Sequence, residues 1–150
     1  MFSDVIAIGN VKIAEELISR ASAKMSKEVL ASSQLLHSLF SKPPVATTSR
    51  ESLNNLISSL LAHKVPLNNQ DKEGMTSLMH AIANHHDVEV VDHLIELGAK
   101  ESLKVSNSKG LTALHLAVLR NQFDIVELLL QYVNTRNIYS VYCLLTCIYS

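Results

Sequence analysis

Two stretches of the sequence, Gly74-Met-Thr-Ser-Leu-Met-His-Ala81 and Gly110-Leu-Thr-Ala-Leu-His-Leu-Ala117, match each other at an offset of 36 residues. In each stretch a glycine, suited to a turn that needs a positive φ, precedes a threonine that can cap a helix. The threonines therefore predict short apolar helices over about 77–84 and 113–120. Each predicted helix is followed by a polar break in the sequence.

A second pattern occurs four times along the chain, and its last two copies follow the two stretches above at nearly the same distance. It consists of two adjacent apolar residues, a polar interval and again adjacent apolar residues, and its copies begin at Ile13, Leu56, Val90 and Ile125. Positions i, i+1, i+4 and i+5 lie on one face of a helix, so each copy predicts an amphipathic helix. The repeating unit is a turn, a short helix, a second turn and a longer helix, and the predicted fold class is all-α.

The motif G-x-T-x-L-H-x-A, followed by a V-V-x-x-L-I helix and then by Gly98-Ala99, resembles the ankyrin repeat. The resemblance implies a solenoid of about four stacked helix-turn-helix units with short hairpin turns. It predicts an ankyrin repeat domain over 1–134 and an apolar C-terminal tail over 135–150. Within the domain, the predicted repeats are degenerate over about 1–24 and 25–68 and clearer over 69–104 and 105–134.

Three departures from the family pattern bear on local structure. The proline that the family places after the threonine is Ser77 in one copy and Ala113 in the other, so these helix starts lose a preset φ. The motif histidine is Met79 in the first copy, so we expect its polar bracing to be missing there. An extra residue at 85–87 and two more near 103–105 account for the longer period.

A longer loop, Lys42 to Arg50, replaces a tight turn between two helices. Pro43-Pro44 cannot lie inside a helix, so the inner helix of the second repeat is predicted to end near Phe40. The loop is either an insertion or a functional protrusion. We favour an insertion, because a polar loop rich in Ser and Thr is ordinary for a solvated segment.

The composition favours a single soluble, intracellular domain. With 13 basic and 14 acidic side chains the net charge is −1, which gives no electrostatic reason to expect nucleic acid or an anionic membrane as the partner. No apolar run is long enough for membrane insertion as a spanning helix, and the start of the chain lacks the basic region of a signal peptide. The two cysteines are too few for a disulfide framework. We therefore expect the chain in the cytoplasm, the nucleus or both.

The sequence lacks the motifs of common enzyme classes, including the P-loop, the dinucleotide-binding glycine motif, H-E-x-x-H and G-x-S-x-G. A group with some metal-binding character consists of His80, His85, His86 and His93, with acidic residues interleaved. Its spacing matches no tetrahedral site, so we interpret it as a solvated or partner-facing polar group rather than as a zinc site. We interpret His115, which lies in an apolar helix, as a hydrogen-bonded structural residue. We predict no catalytic residue, no metal and no cofactor.

Protein–protein binding is the function that remains. The resemblance implies that hairpin tips and exposed inner-helix positions hold a partner protein, while each repeat buries its apolar stripe against its neighbours. The predicted partner-binding residues are Lys72, Glu73, Met75, Ala83, Asn84, His85, His86, Ser108, Lys109, Leu111, Leu119 and Arg120. The apolar members of this set are expected to be exposed beside Lys109 and Arg120, as a mixed patch. The alternative is a truncated or structural segment of a longer array with no partner of its own.

The C-terminal tail differs in character from the rest of the chain. Both cysteines and all four tyrosines lie at or beyond Tyr132. Helical spacing relates the apolar residues Ile138, Val141, Tyr142, Leu145, Ile148 and Tyr149. Three accounts compete for this segment. We rank a truncated or alternative end first, a cap on the last repeat second and a membrane or partner anchor third.

Overall fold

The computed structural model describes residues 34–41, 43, 50–62 and 65–133, together with Glu16 as an exposed helical residue. Helices and turns make up this described part, which contains no β-strand. The elements in chain order are α1 (Gln34–Phe40), α2 (Arg50–Ala62), α3 (Ser77–Ala83), α4 (Val88–Glu96), a 3₁₀-helix (Ala99–Leu103), α5 (Ala113–Leu119) and α6 (Phe123–Tyr132). The predicted all-α fold is confirmed.

The helices stack in two rows. Helix α3 packs between α1 and α5 in the inner row, and α4 packs between α2 and α6 in the outer row. Within a repeat, α3 packs on α4 and α5 packs on α6. The arrangement is that of a solenoid, in which each helix pair buries its apolar surface against the neighbouring pairs.

The apolar pattern of the outer helices forms the core, as the sequence predicts for the three copies that the structure describes. Fully or almost fully buried residues come from all three outer helices: Leu56, Ile57 and Leu60 of α2, Val90, Val91, Leu94 and Ile95 of α4, and Ile125 and Leu129 of α6. Each such side chain contributes about 1.5–3 kcal/mol when it leaves water. The copy that begins at Ile13 lies outside the described residues.

Two threonines cap the short inner helices, which confirms the expectation from the repeated motif. The hydroxyl of Thr76 accepts a hydrogen bond from the Met79 amide at 3.3 Å. The hydroxyl of Thr112 stands 3.5 Å from the His115 amide, and the His115 ring returns a bond by accepting from the Thr112 amide at 3.2 Å. Met79 has no ring to return such a bond, so of these two helices α5 begins with a reciprocal capping box and α3 does not.

The turn from inner to outer helix has the same backbone closure in both clear repeats. His85 and Asn121 adopt positive φ angles of 59° and 56°. The next residue in each turn, His86 or Gln122, donates its amide to a carbonyl of the inner helix at 3.0 Å. Between this turn and the start of the outer helix, the first clear repeat has one residue more than the second, as its longer period predicts.

Tyr132 ties the end of α6 to α4. Its hydroxyl donates to Asp92 Oδ1 at 2.9 Å, and this hydrogen bond, followed by burial, raises the pKa of Tyr132. The ammonium of Lys100 lies 5.4 Å from the centre of the tyrosine ring, within the range of a cation–π contact. The outer row is thus joined by polar contacts as well as by its core.

Several sequence predictions concern residues that the structure describes only in part. Helix α1 ends at Phe40, as predicted, and α2 begins at Arg50, so the connecting loop ends one residue earlier than expected. Most of that loop lies outside the described residues. The degenerate first repeat over 1–24, apart from Glu16, and the tail over 135–150 lie outside them too.

Candidate partner-binding surface

The first hairpin is built around the side chain of Asp71. Its Oδ1 accepts the amides of Glu73 and Met75, both at 2.8 Å. The Asp71 amide donates to the Met75 carbonyl at 2.9 Å, and Gly74 completes the turn with a φ of 74°. This network fixes the backbone so that the side chains of Lys72 and Glu73 point into solvent at the tip.

The second hairpin repeats the design with Asn107 at the equivalent position. The side-chain oxygen of Asn107 accepts the amides of Lys109 and Leu111, both at 3.0 Å. Ser108 and Lys109 are exposed at this tip. We name the four exposed residues of the two tips, Lys72, Glu73, Ser108 and Lys109, the tip ridge.

Direct bonds hold the two hairpins side by side. The Ser108 amide donates to the Glu73 carbonyl at 3.0 Å. The Gln70 amide group bridges the hairpins, since it donates to the Gly74 carbonyl at 2.7 Å and to the Ser106 carbonyl at 3.0 Å. A Cβ at Gly74 would lie 2.9 Å from the Ser108 nitrogen, so the close approach requires glycine. The tip ridge is therefore a rigid feature of the backbone.

A groove of about 600 Å³ lies beside the first hairpin. We name it the hairpin groove; its lining residues come from α1, the hairpin and α3, and they are His37, Ser38, Ser41, Gln70, Asp71, Lys72, Glu73 and His80. All of these side chains are polar or charged. Their donors and acceptors are available to polar and charged groups of a partner.

Two histidines of the hairpin groove, His37 and His80, are held by hydrogen bonds. His80 Nε2 lies 2.7 Å from Asp71 Oδ2, and His37 Nε2 lies 3.0 Å from the Met75 carbonyl. Because both oxygens only accept in these contacts, each Nε2 must carry the proton. The two imidazole rings meet edge to face at 5.5 Å. The groove thus has a preset pattern of donors and acceptors.

The same contacts set the charge of Asp71. Burial would raise the pKa of this carboxyl, but the hydrogen bond from His80 and those from the amides of Met75 and Glu73 outweigh burial and lower the pKa. Asp71 is therefore a carboxylate at neutral pH. The hairpin and the groove both depend on that charge.

At the other end of the inner helices, the turns place a second group of predicted residues. His85 and Arg120 are exposed, and Leu119 keeps 48% of its surface in solvent. Ala83 is half-buried against the core, and the Asn84 amide group donates to the carbonyls of Phe40 and His80 at 2.7 and 3.0 Å. Asn84 therefore links α1 to α3 through its side chain.

Two of the predicted partner-binding residues are not exposed. Met75 keeps only 8% of its surface in solvent, because the hairpin turns it inward and its sulfur accepts from the Asn107 amide group at 3.4 Å. His86 keeps 4%, because the closing bond of its turn brings its ring against Phe40, with the ring centres 5.1 Å apart. The prediction that Met75 and His86 are exposed was wrong. Leu111, another apolar member of the predicted set, is half-buried rather than exposed.

The structure places the exposed members of the predicted set in two separate groups. One group is the tip ridge, and the other consists of the turn residues His85, Leu119 and Arg120. The sequence interpretation missed most of the hairpin groove. Asp71 could have been found, because it stands 36 residues before Asn107 in the same motif. His37 carries no comparable signal, since it belongs to a degenerate repeat. It enters the groove only because α1 packs on α3.

Metal-binding groups and membrane-spanning helices are both absent from the residues that the structure describes. In that part of the chain, no group of three or more His, Cys, Asp or Glu side chains is placed to hold a metal ion. No helix in the same ranges has both the length and the apolar character needed to cross a membrane.

Comparison with known families identifies the fold. A family model described as ankyrin repeats in three copies matches residues 45–139, which is more than half of the chain. The chain therefore belongs to the ankyrin repeat family. Ankyrin repeats generally mediate protein–protein interaction, and the family is typically non-enzymatic.

Two curated relatives are viral proteins. The chain is 33% identical over 78 residues to an ankyrin repeat protein of fowlpox virus (strain NVSL), a match that covers 52% of this chain and 13% of that protein. It is 38% identical over 69 residues to an ankyrin repeat protein of Acanthamoeba polyphaga mimivirus, covering 46% of this chain and 16% of that one. The matched segments are thus a small part of each relative.

Proposed function

We propose that this chain is a protein-binding module, acting as a scaffold, adaptor or inhibitor without enzymatic activity of its own. The partner protein lies across the tip ridge and the hairpin groove and reaches the exposed turn residues along the inner helices. The observation that carries the proposal is the rigid pairing of the two hairpins, which presents four exposed side chains at fixed spacing beside a polar groove.

Rigidity matters because binding costs less when the surface is already ordered. Hairpin tips in most proteins are mobile loops, and their ordering would subtract from the affinity. Here Asp71, Asn107 and Gln70 hold the backbone through seven side-chain bonds to backbone and histidine groups. The charged tips of Lys72, Glu73 and Lys109 then favour a partner with complementary charges in the same spacing.

The proposal also covers the place in the cell where the chain acts and the class of molecule that it binds. We propose action inside the cell, in the cytoplasm, the nucleus or both, on a protein rather than on nucleic acid or through membrane insertion. The balanced composition supports this, since 13 basic and 14 acidic side chains give no excess of positive charge for a phosphate backbone.

The test is affinity capture from an extract of the cells that express the protein. The bait is the full chain beside a variant with Glu73→Lys and Lys109→Glu, which reverses two tip charges and keeps the net charge. The matched control carries Lys104→Glu and Glu127→Lys, which are exposed and lie outside the proposed surface. All three baits should have the same helical circular dichroism.

We expect one protein to be held by the parent and by the control and to be lost by the tip variant. Capture of the same proteins by all three baits would contradict the assigned surface. Capture of nothing beyond chaperones would favour the alternative function, a structural segment of a longer array. That alternative draws on one observation, the 13% and 16% of their own length over which the two viral relatives match this chain.

A further inference from the structure

Phe123 is larger and more exposed than the core of its repeat requires. Among the exposed large apolar side chains of the described residues it keeps the most surface in solvent, 66%, whereas Phe40 is fully buried. Helix α6 begins at Phe123 and α4 begins at Val88, so these two residues hold equivalent positions. Val88 is half-buried and packs against the core. A valine therefore meets the packing needs of this position, and most of the phenylalanine ring is available to a molecule outside the fold.

Phe123 lines a cleft on the side of the molecule away from the hairpins. We name it the turn cleft; its volume is about 360 Å³, and it is lined by 86–89 and 121–125, which are the turns and the first residues of α4 and α6. The tip ridge and the hairpin groove lie at the opposite ends of the inner helices. Ligand pockets usually measure about 300–1,000 Å³, so a cleft at the low end of this range accommodates one or two side chains rather than a folded element.

The turn cleft has an excess of negative charge. The exposed carboxylates of Asp87, Glu89 and Asp124 line it, and none of its described lining residues is Lys or Arg. Arg120, just before the second segment, is exposed but does not line the cleft. Part of the negative charge serves the helices, because the start of α4 and the start of α6 each carry about half a positive charge. About two negative charges remain after this offset, and they favour a cation over an anion in the cleft.

The turn cleft also holds an acceptor that lacks a donor. The side-chain oxygen of Gln122 is buried and has no hydrogen-bond partner among the described residues. The turn fixes the position of this residue, since its backbone amide donates to the Ala117 carbonyl at 3.0 Å. A buried acceptor without a partner costs free energy, which a donor on a bound molecule recovers. Together with the carboxylates, Gln122 favours an occupant that carries several N–H donors.

An arginine side chain matches both the charge and the ring. Its guanidinium has five N–H donors in one plane, pairs with a carboxylate through two parallel bonds and stacks on aromatic faces. Phe123 and Asp124 are adjacent at the start of α6, so the cleft offers a ring and a carboxylate side by side. A lysine ammonium carries the same charge, but it is more strongly hydrated and lacks the planar fork. The cleft therefore favours arginine over lysine.

We propose that the turn cleft binds an arginine in an exposed segment of a partner protein. The guanidinium lies against the ring of Phe123, pairs with Asp124 and Glu89 and donates to the side-chain oxygen of Gln122. This contact does not depend on the tip ridge or the hairpin groove, because it uses the opposite side of the molecule.

Peptide selection on the full chain identifies the side chain that the cleft prefers. A random peptide library displayed on phage is selected in parallel on the parent, on Phe123→Val and on Leu130→Val. The first variant carries the valine of the equivalent position, and the second is the matched control, since Leu130 is exposed but does not line the cleft. We expect the parent and the control to enrich peptides that share an arginine, and Phe123→Val to lose them.

Binding of one enriched peptide, followed by fluorescence anisotropy, tests the charge. Replacing its arginine by lysine should weaken binding about threefold or more, and replacing it by citrulline, the neutral isostere, about tenfold or more. Asp124→Asn should weaken binding about threefold or more, whereas Glu127→Gln, an exposed acid of the same helix outside the cleft, should change it less than about twofold. The variant with reversed tip charges should bind the peptide as tightly as the parent does.

Each other outcome overturns the proposal. Enriched peptides without a basic residue would show that the charge of the cleft is not recognised, and full binding after replacement by lysine would refute the stacking on Phe123. Arginine peptides that bind all variants equally would lie elsewhere on the chain. A selection that enriches nothing would show that the cleft takes no such segment. Self-association of the parent that Phe123→Val abolishes would assign the ring to a second copy of the chain.

Discussion

Gly74 and Gly110 have almost the same backbone conformation, with φ angles of 74° and 76°, but different surroundings. In both places a side chain must enter the left-handed region, which costs about 1–2 kcal/mol. Only at Gly74 does the added Cβ also press on a neighbouring backbone. The pair thus separates the cost of an unfavourable φ from the cost of lost space.

We expect Gly110→Ala to lower the free energy of unfolding by about 1–2 kcal/mol, from the backbone conformation alone. Gly74→Ala should cost clearly more, because the hairpins must also move apart. Urea denaturation of the two variants beside the parent measures both values. Equal losses would mean that the hairpins yield without cost.

The stability of the folded chain depends on pH through His115. Burial lowers the pKa of His115 below its ordinary value, so the folded chain resists a proton that the unfolded chain accepts. Its contribution to stability is therefore complete above about pH 6.5 and is lost as the pH falls below that value. The neutral ring is also the form that accepts the Thr112 amide at Nδ1.

His115→Gln should remove this part of the pH dependence. Glutamine keeps an acceptor at the third position of a capping box and does not titrate. Relative to the variant, the parent should lose stability between about pH 7.5 and pH 5, as followed by urea midpoints across that range. A difference that stays constant with pH would refute the role given to the ring.

At the scale of the element, the two inner helices begin without the proline that the family pattern provides. Ser77 is fully buried, and its hydroxyl finds no hydrogen-bond partner among the described residues. The residue before it, Thr76, is extended with φ −91° and ψ 165°, which is the conformation that a following proline requires. Thr112 before Ala113 is extended in the same way.

Ser77→Pro should raise the free energy of unfolding by about 1 kcal/mol or more. It fixes φ at the first helical position and removes a buried hydroxyl that lacks a partner. Ala113→Pro provides the matched comparison and should add only the backbone gain of about 0.4–1 kcal/mol. Thermal unfolding of both variants checks the order, and a larger gain at Ala113 would contradict it.

The elements were the most predictable part of this chain. Helix starts at Thr76 and Thr112 follow from local capping chemistry, and the outer helices follow from spacing alone. The burial of Met75 and His86 could not be read in the same way, because each is drawn inward by a contact with another repeat. For the same reason, sequence reasoning found the charged tips but missed His37, whose place in the groove depends on packing between α1 and α3.

At the scale of the whole molecule, α3 and α4 are each flanked by a helix on both sides within the described residues. In such a stack, stability comes from contacts between neighbours. A residue at an internal interface therefore supports two repeats at once. Ile95 is fully buried in α4, the helix that packs against α6, while Leu97 two positions later is 36% exposed.

Ile95→Ala should lower the free energy of unfolding by about 2–5 kcal/mol, the usual cost of emptying a buried site. Leu97→Ala, which removes a side chain that is partly in solvent, should cost less than about 1 kcal/mol. Hydrogen exchange of the Ile95→Ala chain should show faster exchange in both α3–α4 and α5–α6. Faster exchange confined to α4 would show that the repeats do not depend on each other.

The inner row keeps an offset of 36 residues between repeats and the outer row an offset of 35, and the difference is taken up between His86 and Asp87, after the turn that His86 closes and before α4 begins at Val88. Length variation is thereby absorbed on the side of the molecule away from the hairpins, where no bond between hairpin tips depends on it. For protein engineering, a peptide tag placed in this turn would leave the spacing of Lys72, Glu73, Ser108 and Lys109 as it is in the parent, and beyond the turn cleft it would perturb the partner surface only at the neighbouring His85.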